Sequence, residues 1–566
     1  MATQPHGVII QQKVPQPVVI SQEGEKIGFV GCAPVHKLPA GEASIQELKQ
    51  VKSEADLAAN FGSWERGYSI PEFYRILDFY SVQETYIVNV FDPSLHTGTT
   101  RGAFTLDENA ELLLSKVVSF ANLSVEGVSS TSESTISWTS GEYDTSESHI
   151  DNVVLQDVGK TTTYVQGKDY TVDGGKVIAT DFGDIDTNAD ALLSYDAPDG
   201  TPLSSGTDYT ESSEDVLDPE TGNPYNSPYT YKNVVLSFST LSAGSKAWVS
   251  YEHAAPKFVS PSDIVGSVLG NGDRKGMELF NENLSFFGFG LTQIAAERDY
   301  ENSVATALES KANDLRAQAH INATPGASTD ELIAGRAGTT GYVTNVFTSD
   351  PRVVLYADYV YNQAPDNESI LQPLAWHGIA ARFRRTKDLG FWWSYSSSPI
   401  EGVSRPEILR TISRNDSNAD NQTLTEQGGY VTIFRRFGSG YQFDGNYNAS
   451  YPKVSDGTHF QAVQNARDSI LRTLQRFAEN YLDKPLTQVQ VTSLTGDASG
   501  YLDTLSNADR ASGQAISEGS ATANIPENDS NARAQGTLYV LVRIGYLTPI
   551  NTIVLIEETL QTNVAN

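Results

Sequence analysis

Strand and helix signals change character twice along this chain, and that change limits the folds open to it. Residues 26–91 read as α/β. KIGFVGCA (26–33) is strand-like and runs into Pro34, helical stretches follow near Ser44 to Leu48 and Ile70 to Tyr80, and ETYIVNVF (84–91) returns to a strand. Residues 92–255 lose the alternation. They are rich in Ser, Thr, Gly and Asp, with short strand candidates at 135–138, 152–155, 177–179, 234–238 and 247–251 between turn signals. From 256 to 400 the α/β pattern resumes. A short helix is expected after SPSD with Ser262 as its N-cap, then a strand-like run in ENLSFFGFGLTQIAAE, a helix over 302–319, strands at YVTNVF and RVVLYADYV, and a helix over 370–385. An α/β domain interrupted by an inserted or decorating all-β region, or by two small β modules, fits this order. An internal echo supports two modules: GKDYT (167–171) recurs as GTDYT (206–210), and LLSYDAP (192–198) as WVSYEHAAP (248–256).

The clearest helix lies near the C-terminus. In FQAVQNARDSILRTLQRFAENYL (460–482), Val463, Ala466, Ile470, Leu474, Phe477 and Tyr481 recur at spacings of three and four and make one apolar face. Thr487 to Leu494 is a strand candidate, 495–531 reads as a polar loop with short helices, and TLYVLVRIGYL closes the domain. The two ends differ from the body. GVIIQQKVPQPVVI (7–20) is extended, apolar and broken by Pro15 and Pro17. At the other end Leu538 to Ile544 and Ile553 to Ile556 read as strands around Thr548-Pro549. Each end is suited to complete a sheet, in its own chain or by strand addition in a neighbour.

Several function classes are disfavoured by composition. The 566 residues carry 70 acidic against 39 basic side chains, a net charge of -31, which repels phosphate backbones and argues against direct nucleic-acid binding through a basic surface. The same charge opposes close self-assembly unless counterions or local pairing offset it. Hydrophobic residues make up 39% of the chain, enough for packed cores, and its length suggests three to five domains. No run of about 18 apolar residues marks a membrane span, and MATQPHGVIIQQ lacks the basic head and apolar core of a secretory signal. The single cysteine, Cys32, excludes an intrachain disulfide and is expected to be buried at a strand end.

No catalytic constellation is visible. HExxH, Walker A, GxGxxG, GxSxG and EF-hand patterns are absent, and His6, His36, His96, His149, His253, His320, His377 and His459 are scattered outside zinc-ligand spacing. His377 reads as a packing residue. Asp184, Asp186 and Asp190, like Asp215, Asp218 and Glu220, read as solvated acidic loops, with a calcium site as the other reading of the first group. No catalytic, cofactor-binding or metal-binding residues are therefore assigned, and no enzyme activity is expected. Scarce basic residues fall in clusters: Arg382, Arg384, Arg385 and Lys387; Arg435 and Arg436; and Arg467, Arg472 and Arg476 along the long helix. They suit pairing with acidic patches, on neighbouring copies or on the chain's own surface.

Several segments together resemble the contractile tail sheath proteins of tailed phages and related contractile injection systems. They are HGVIIQQ with VVISQEGEKIGFVGCAP at the front, FVSPSDIVGSVLGNGDRKGMELFNENLSFFGFG (258–290), GFWWSYSSSPIEGVSRPE (390–407), TEQGGYVTIFRRFGSGYQFDGNYNASYP (425–452), DGTHFQAVQNARDSILRTLQRF (456–477) and GYLTPINTIVLIEET (545–559). The resemblance implies a multidomain α/β and α+β sheath core with an inserted all-β outer region and extended strand-like N- and C-terminal arms. The expected divisions are an N-terminal arm at 1–25, the first part of the α/β sheath domain at 26–91, the β insertion at 92–255, the continuation of the α/β domain at 256–400, a C-terminal α+β domain at 401–545 and a C-terminal arm at 546–566.

The same resemblance implies a structural subunit of a virion tail, assembled in the host cytoplasm as stacked hexameric rings around a tail tube. Contraction drives the tube through a cell envelope for genome ejection. Partners are then neighbouring sheath subunits joined by strand exchange, the tail tube protein, and baseplate and tail terminator proteins, without direct nucleic acid or integral membrane contact. The implied assembly residues are Val8, Ile9, Ile10, Val18, Val19 and Ile20 in the first arm and Ile553, Val554, Leu555 and Ile556 in the last, with Arg384, Arg385, Arg435, Arg436, Arg472 and Arg476 as lattice contacts. The alternatives are another β-rich baseplate or adhesin protein, or a glycan-degrading tail enzyme.

Overall fold

The computed structural model describes residues 24–39, 41–82, 84–166, 169–180, 185–214, 232–338, 348–436, 440–454, 456–507 and 513–551. The chain divides into two compact units. The larger comprises Glu25–Arg384 and Tyr395–His459, and the smaller comprises Met1–Gly24, Arg385–Ser394 and Phe460–Asn566. The expected segment 401–545 is thereby divided, its residues through His459 lying in the larger unit. No helix among the described residues is long and apolar enough to cross a membrane.

The larger unit begins with β1 (Ile27–Gly31), β2 (Leu48–Val51) and β3 (Thr85–Asn89). It continues with β4 (Thr97–Thr105), β5 (Glu111–Ile136), β6 (Glu142–Asp144), β7 (Asp151–Asp157), β8 (Tyr170–Asp173), β9 (Lys176–Ala179), β10 (Ala191–Pro202), β11 (Tyr209–Glu214), β12 (Lys232–Phe238) and β13 (Lys246–Ala254). It closes with β14 (Gln293–Ala296), β15 (Gln318–Asn322), β16 (Val353–Tyr356), β17 (Tyr359–Gln363), β18 (Ser369–Pro373), β19 (Val403–Pro406), β20 (Tyr430–Arg436) and β21 (Gly440–Asp444).

An eight-stranded sheet runs β2-β3-β1-β14-β15-β16-β20-β21. Its six inner strands are parallel, and β2 and β21 add antiparallel edges. Residues of β1, β3, β14, β15 and β16 are buried throughout, as continuous apolar strands covered on both faces require. The helix Ser69–Phe79 packs on β1, and the helix Asn302–Leu315 packs on β14 and β15. Phe29 and Phe73 stack at 4.0 Å between ring centres, and Trp376 meets both edge-on.

Winding reverses at β1, which lies between β3 and β14. Open parallel sheets bind ligands at the carboxyl ends of strands at such a point. Here the chain's own polar side chains fill it. Ser69 accepts the Cys32 N–H at 2.9 Å and donates to the Glu297 carboxylate. Cys32 is fully buried, as expected, and burial pushes its thiol well above the usual range. His377 is buried too, on the helix Leu374–Asp388, with Asn362 3.0 Å from its Nε2. Burial brings its pKa down to about 3.

From β4 to β13 every regular helix or strand described is a strand. The 26-residue β5 organises them: its first part pairs with β12 and β13, its last part with β10. Two separate apolar cores result, one containing Tyr209 and the other Tyr170. These are the tyrosines of the echoed GTDYT and GKDYT. The preceding aspartates repeat the same turn: Asp208 accepts the Ser204 N–H at 2.8 Å and Asp169 the Val165 N–H at 2.7 Å. The backbone carbonyl of each then accepts an N–H at 2.9 Å, from Ser239 and from Thr180. The echoed LLSYDAP and WVSYEHAAP lie in β10 and β13, both antiparallel partners of β5. Lys116 of β5 ties the stretch to the α/β part, donating to Glu65 and to the Tyr68 hydroxyl.

Several expected elements move. Ser44 to Leu48 is not helical: Gln46 has φ 54°, its N–H donates to the Asn89 carbonyl, and β2 starts at Leu48. The N-cap is Ser260 rather than Ser262, in a reciprocal capping box with Asp263. ENLSFFGFGLTQIAAE holds the short helix Asn283–Phe287 before β14. The helix expected over 302–319 stops at Arg316, whose φ of 52° turns the chain into β15. RVVLYADYV is two strands in different sheets, β16 and β17, and the helix expected over 370–385 begins at Leu374 after β18. YVTNVF lies outside the described residues, as do Asp184, Asp215, Asp218 and Glu220.

Candidate assembly site

The smaller unit is built on two helices and a ribbon. Gln461–Glu479 forms as its apolar spacing predicts, with Ala462, Val463, Ala466, Ile470, Leu474 and Phe477 buried. Next comes the helix Gln488–Ser506, capped by the Thr487 hydroxyl on the Gln490 N–H at 3.3 Å. It stands where a strand and a loop were expected. Its buried positions, Leu494, Ala498, Tyr501, Leu502 and Leu505, fall at helical spacing and outweigh the poor propensity of Val489, Val491, Gly496 and Gly500.

β22 (Ile516–Thr522) and β23 (Leu541–Tyr546) form an antiparallel ribbon. Ser520 faces Arg543, Ala521 faces Val542 and Thr522 faces Leu541, with a bulge between Ile516 and Glu518. Ala515 and Ile516 are buried with Phe391, Ala466, Ile470, Leu474, Leu502 and Leu505, and Val542, Ile544 and Tyr546 pack against that cluster. Burial pushes the Tyr546 phenol up to about 12, and the charge of Arg467 opposes the rise. At Gly519 an added Cβ would come 2.7 Å from the Leu502 Cβ, so only glycine lets β22 lie this close to the helix.

Both strands of a lone ribbon have an outer edge, and such edges are templates for further strands. These two edges differ. The Ser499 hydroxyl accepts the Ala521 N–H at 3.0 Å and donates to the Ala521 carbonyl at 3.2 Å. One helix side chain thus occupies both backbone groups of a mid-strand residue of β22. Among the described residues, no strand other than β22 pairs with β23. A row of exposed apolar side chains continues from that strand: Tyr539, Leu541, Leu547 and Ile550. The loop between the strands is closed by Asn528, a residue that no sequence signal singled out.

The expected assembly residues are not all brought together. Val8, Ile9, Ile10, Val18, Val19, Ile20, Ile553, Val554, Leu555 and Ile556 lie outside the described residues. Arg384 pairs with Glu401 at 2.8 Å within the larger unit. Arg385 is on the same helix, at the start of the smaller unit's segment. The Arg435 guanidinium lies 5.6 Å from the centre of the Tyr441 ring, and Arg436 pairs with Gly440 through the backbone. The edge they adjoin is covered: Ile400 N–H donates to the Tyr441 carbonyl and Ser397 N–H to that of Phe443. Arg472 donates to the Ser469 hydroxyl at 3.2 Å, and Arg476 is exposed on the same helix. Among the described residues no three His, Cys, Asp or Glu side chains are grouped to hold a metal ion.

No family model matches the chain. The tail sheath protein of Burkholderia phage BcepMu is 27% identical over 503 residues, spanning 88% of this chain and 85% of that protein. Among solved structures, the helical sheath of the anti-feeding prophage in its contracted state covers 98% of this chain and 99% of that one, at 10% identity and a TM-score of 0.49. The sheath complex of the extracellular contractile injection system PVC, also contracted, covers 48% and 71%, at 13% identity and a TM-score of 0.38. The relatedness read from the sequence segments is thus present along most of the chain, which is a homologue of a phage tail sheath protein.

Proposed function

We propose that this chain is the non-enzymatic structural subunit of a contractile sheath. Copies polymerise as stacked hexameric rings around a tail tube, with a baseplate at one end and a terminator at the other. The observation that carries this reading is the β22–β23 ribbon, a sheet with two strands among the described residues. Ribbons of two strands are marginal alone and gain from added strands. The apolar sequences 7–20 and 553–556 have the composition of such strands. Each arm pairs beside a neighbour's ribbon, and the chain before Glu25, which is buried, and after Tyr546, which ends β23, lets the body turn while the joints hold. Contraction converts an extended lattice into a more compact one. The work comes from subunit contacts, so no nucleotide site is required. Electron microscopy of purified full-length chain tests this: tubes with six-fold symmetry are expected, and protein that stays monomeric at all concentrations contradicts it.

A further inference from the structure

We infer that Ser499 holds the β22 edge shut, so that an extended segment from a second copy of this chain joins only at the outer edge of β23. The inference rests on the strand-joining reading above and adds its polarity. In an antiparallel ribbon the N–H and C=O of one residue point to the same side. Both groups of Ala521 are taken by the Ser499 hydroxyl, so they point away from β23 and toward the helix Gln488–Ser506. Three residues along that helix, Leu502 stands where a Cβ on Gly519 would point, so the helix also packs against one face of β22. Leu502 thus anchors the helix under the ribbon, and Ser499, on the same helical face, is the group that reaches the edge where an added strand would pair. A hydroxyl both donates and accepts, so Ser499 supplies what a partnering strand residue would supply. Covering an edge in this way is a recognised defence against unwanted pairing.

Opposite this closed edge, β23 turns the backbone N–H and C=O groups of Val542, Ile544 and Tyr546 away from β22, while their side chains pack on the core, with exposed Leu541, Leu547 and Ile550 beside or beyond them. The joining segment is extended and apolar at alternate positions, as Val8, Ile9 and Ile10 allow. Growth is then one-sided. Successive strands stack outward from β23, and the helix remains the fixed end of the sheet.

The chain has one cysteine, buried Cys32, so disulfide trapping at engineered positions is clean. The probe is a synthetic peptide of residues 5–20 carrying V8C, I9C or I10C, added in excess to the full-length chain. Arg543→Cys reports the β23 edge, and Ser520→Cys, directly opposite it in the ribbon, reports the β22 edge. A disulfide needs Cβ atoms about 4 Å apart and therefore separates adjacent from next-adjacent strands. The expected result is trapping at Arg543→Cys and none at Ser520→Cys. Adding Ser499→Ala should raise trapping at Ser520→Cys on the order of tenfold, since two modest hydrogen bonds are removed from competition. Trapping at Ser520→Cys with Ser499 intact overturns the inference. So does a failure of Ser499→Ala to open that edge while Arg543→Cys still traps. Trapping at neither edge, in any variant, counts against strand joining itself and removes the inference with it. Tube formation by the full-length chain reads the sheath assignment separately.

Discussion

Asn528 and Tyr539 are joined by two hydrogen bonds across the loop that connects β22 to β23. The Asn528 amide donates to the Tyr539 carbonyl at 2.7 Å, and its oxygen accepts the Tyr539 N–H at 2.8 Å. The same amide donates to the Ala523 carbonyl at 2.7 Å, so one side chain holds both ends of the loop. Asn528→Ala should therefore loosen the ribbon by roughly 1–3 kcal/mol, three modest hydrogen bonds in a half-exposed place. Hydrogen exchange is the readout: faster exchange confined to β22 and β23 is expected, and unchanged protection there would contradict the role given to Asn528.

Gly519→Val places methyl groups where the Leu502 Cβ already stands. Displacing β22 from the helix should cost about 1–3 kcal/mol, the usual range for overpacking. The larger unit does not contain this contact and should keep its own unfolding transition. Tubes should be lost before the fold is, as measured by sedimentation beside differential scanning calorimetry. A variant that assembles as the parent does would show that the closeness of strand and helix is incidental.

Asp299 is buried at the carboxyl end of the sheet and accepts the Asn322 N–H at 3.0 Å. Burial raises its pKa from the ordinary 3.8 to about 8. The folded state thus prefers the neutral acid. Its contribution to stability is full below pH 3.8 and is lost as pH rises toward 8, at up to about 1.4 kcal/mol per pH unit. Glu72, raised to about 7, acts in the same direction. Asp299→Asn keeps an acceptor for Asn322 and cannot ionise. Its thermal midpoint should gain on the parent between pH 5 and pH 8, whereas a constant difference over that range would contradict a buried neutral acid.

Much of the larger unit was legible because its strands and helices follow simple periodicities. The helix Ser69–Phe79, the strand Thr85–Asn89 and four of the five short strands expected in the β stretch stand where the sequence places them, whereas the strand expected at 135–138 is the last two residues of the 26-residue β5, which ends at Ile136. What was not legible depended on contacts distant in sequence. RVVLYADYV reads as one strand. It breaks at Asp358, whose carboxylate takes Arg410 at 2.7 Å and whose carbonyl takes the Asn322 amide at 3.0 Å. In the candidate site the long helix and β23 were visible, but β22 was not. ISEGSAT has no strand composition, and it becomes a strand through Ser499, Leu502 and β23. QVQVTSL alternates as a strand does and is helical, because Leu494, Ala498, Tyr501 and Leu502 have a core to enter.

Charge on the terminal strand tests the joints from the other side. Ile553→Asp places a carboxylate in the segment proposed to pair with a neighbour, where an unpaired buried charge costs several kcal/mol. Deletion of residues 1–20 removes the other joining segment. Both variants should remain folded by circular dichroism and fail to sediment as polymer. Normal polymer from either one would remove that segment from the joint.

Electron microscopy of the assembled full-length chain, at a resolution that separates strands, addresses the central claim most directly. Strand-joined assembly predicts tubes in which the β23 edge from Leu541 to Tyr546 carries a strand from another subunit. Tubes in which that edge stays unpaired, with copies held by side-chain contacts alone, would contradict it.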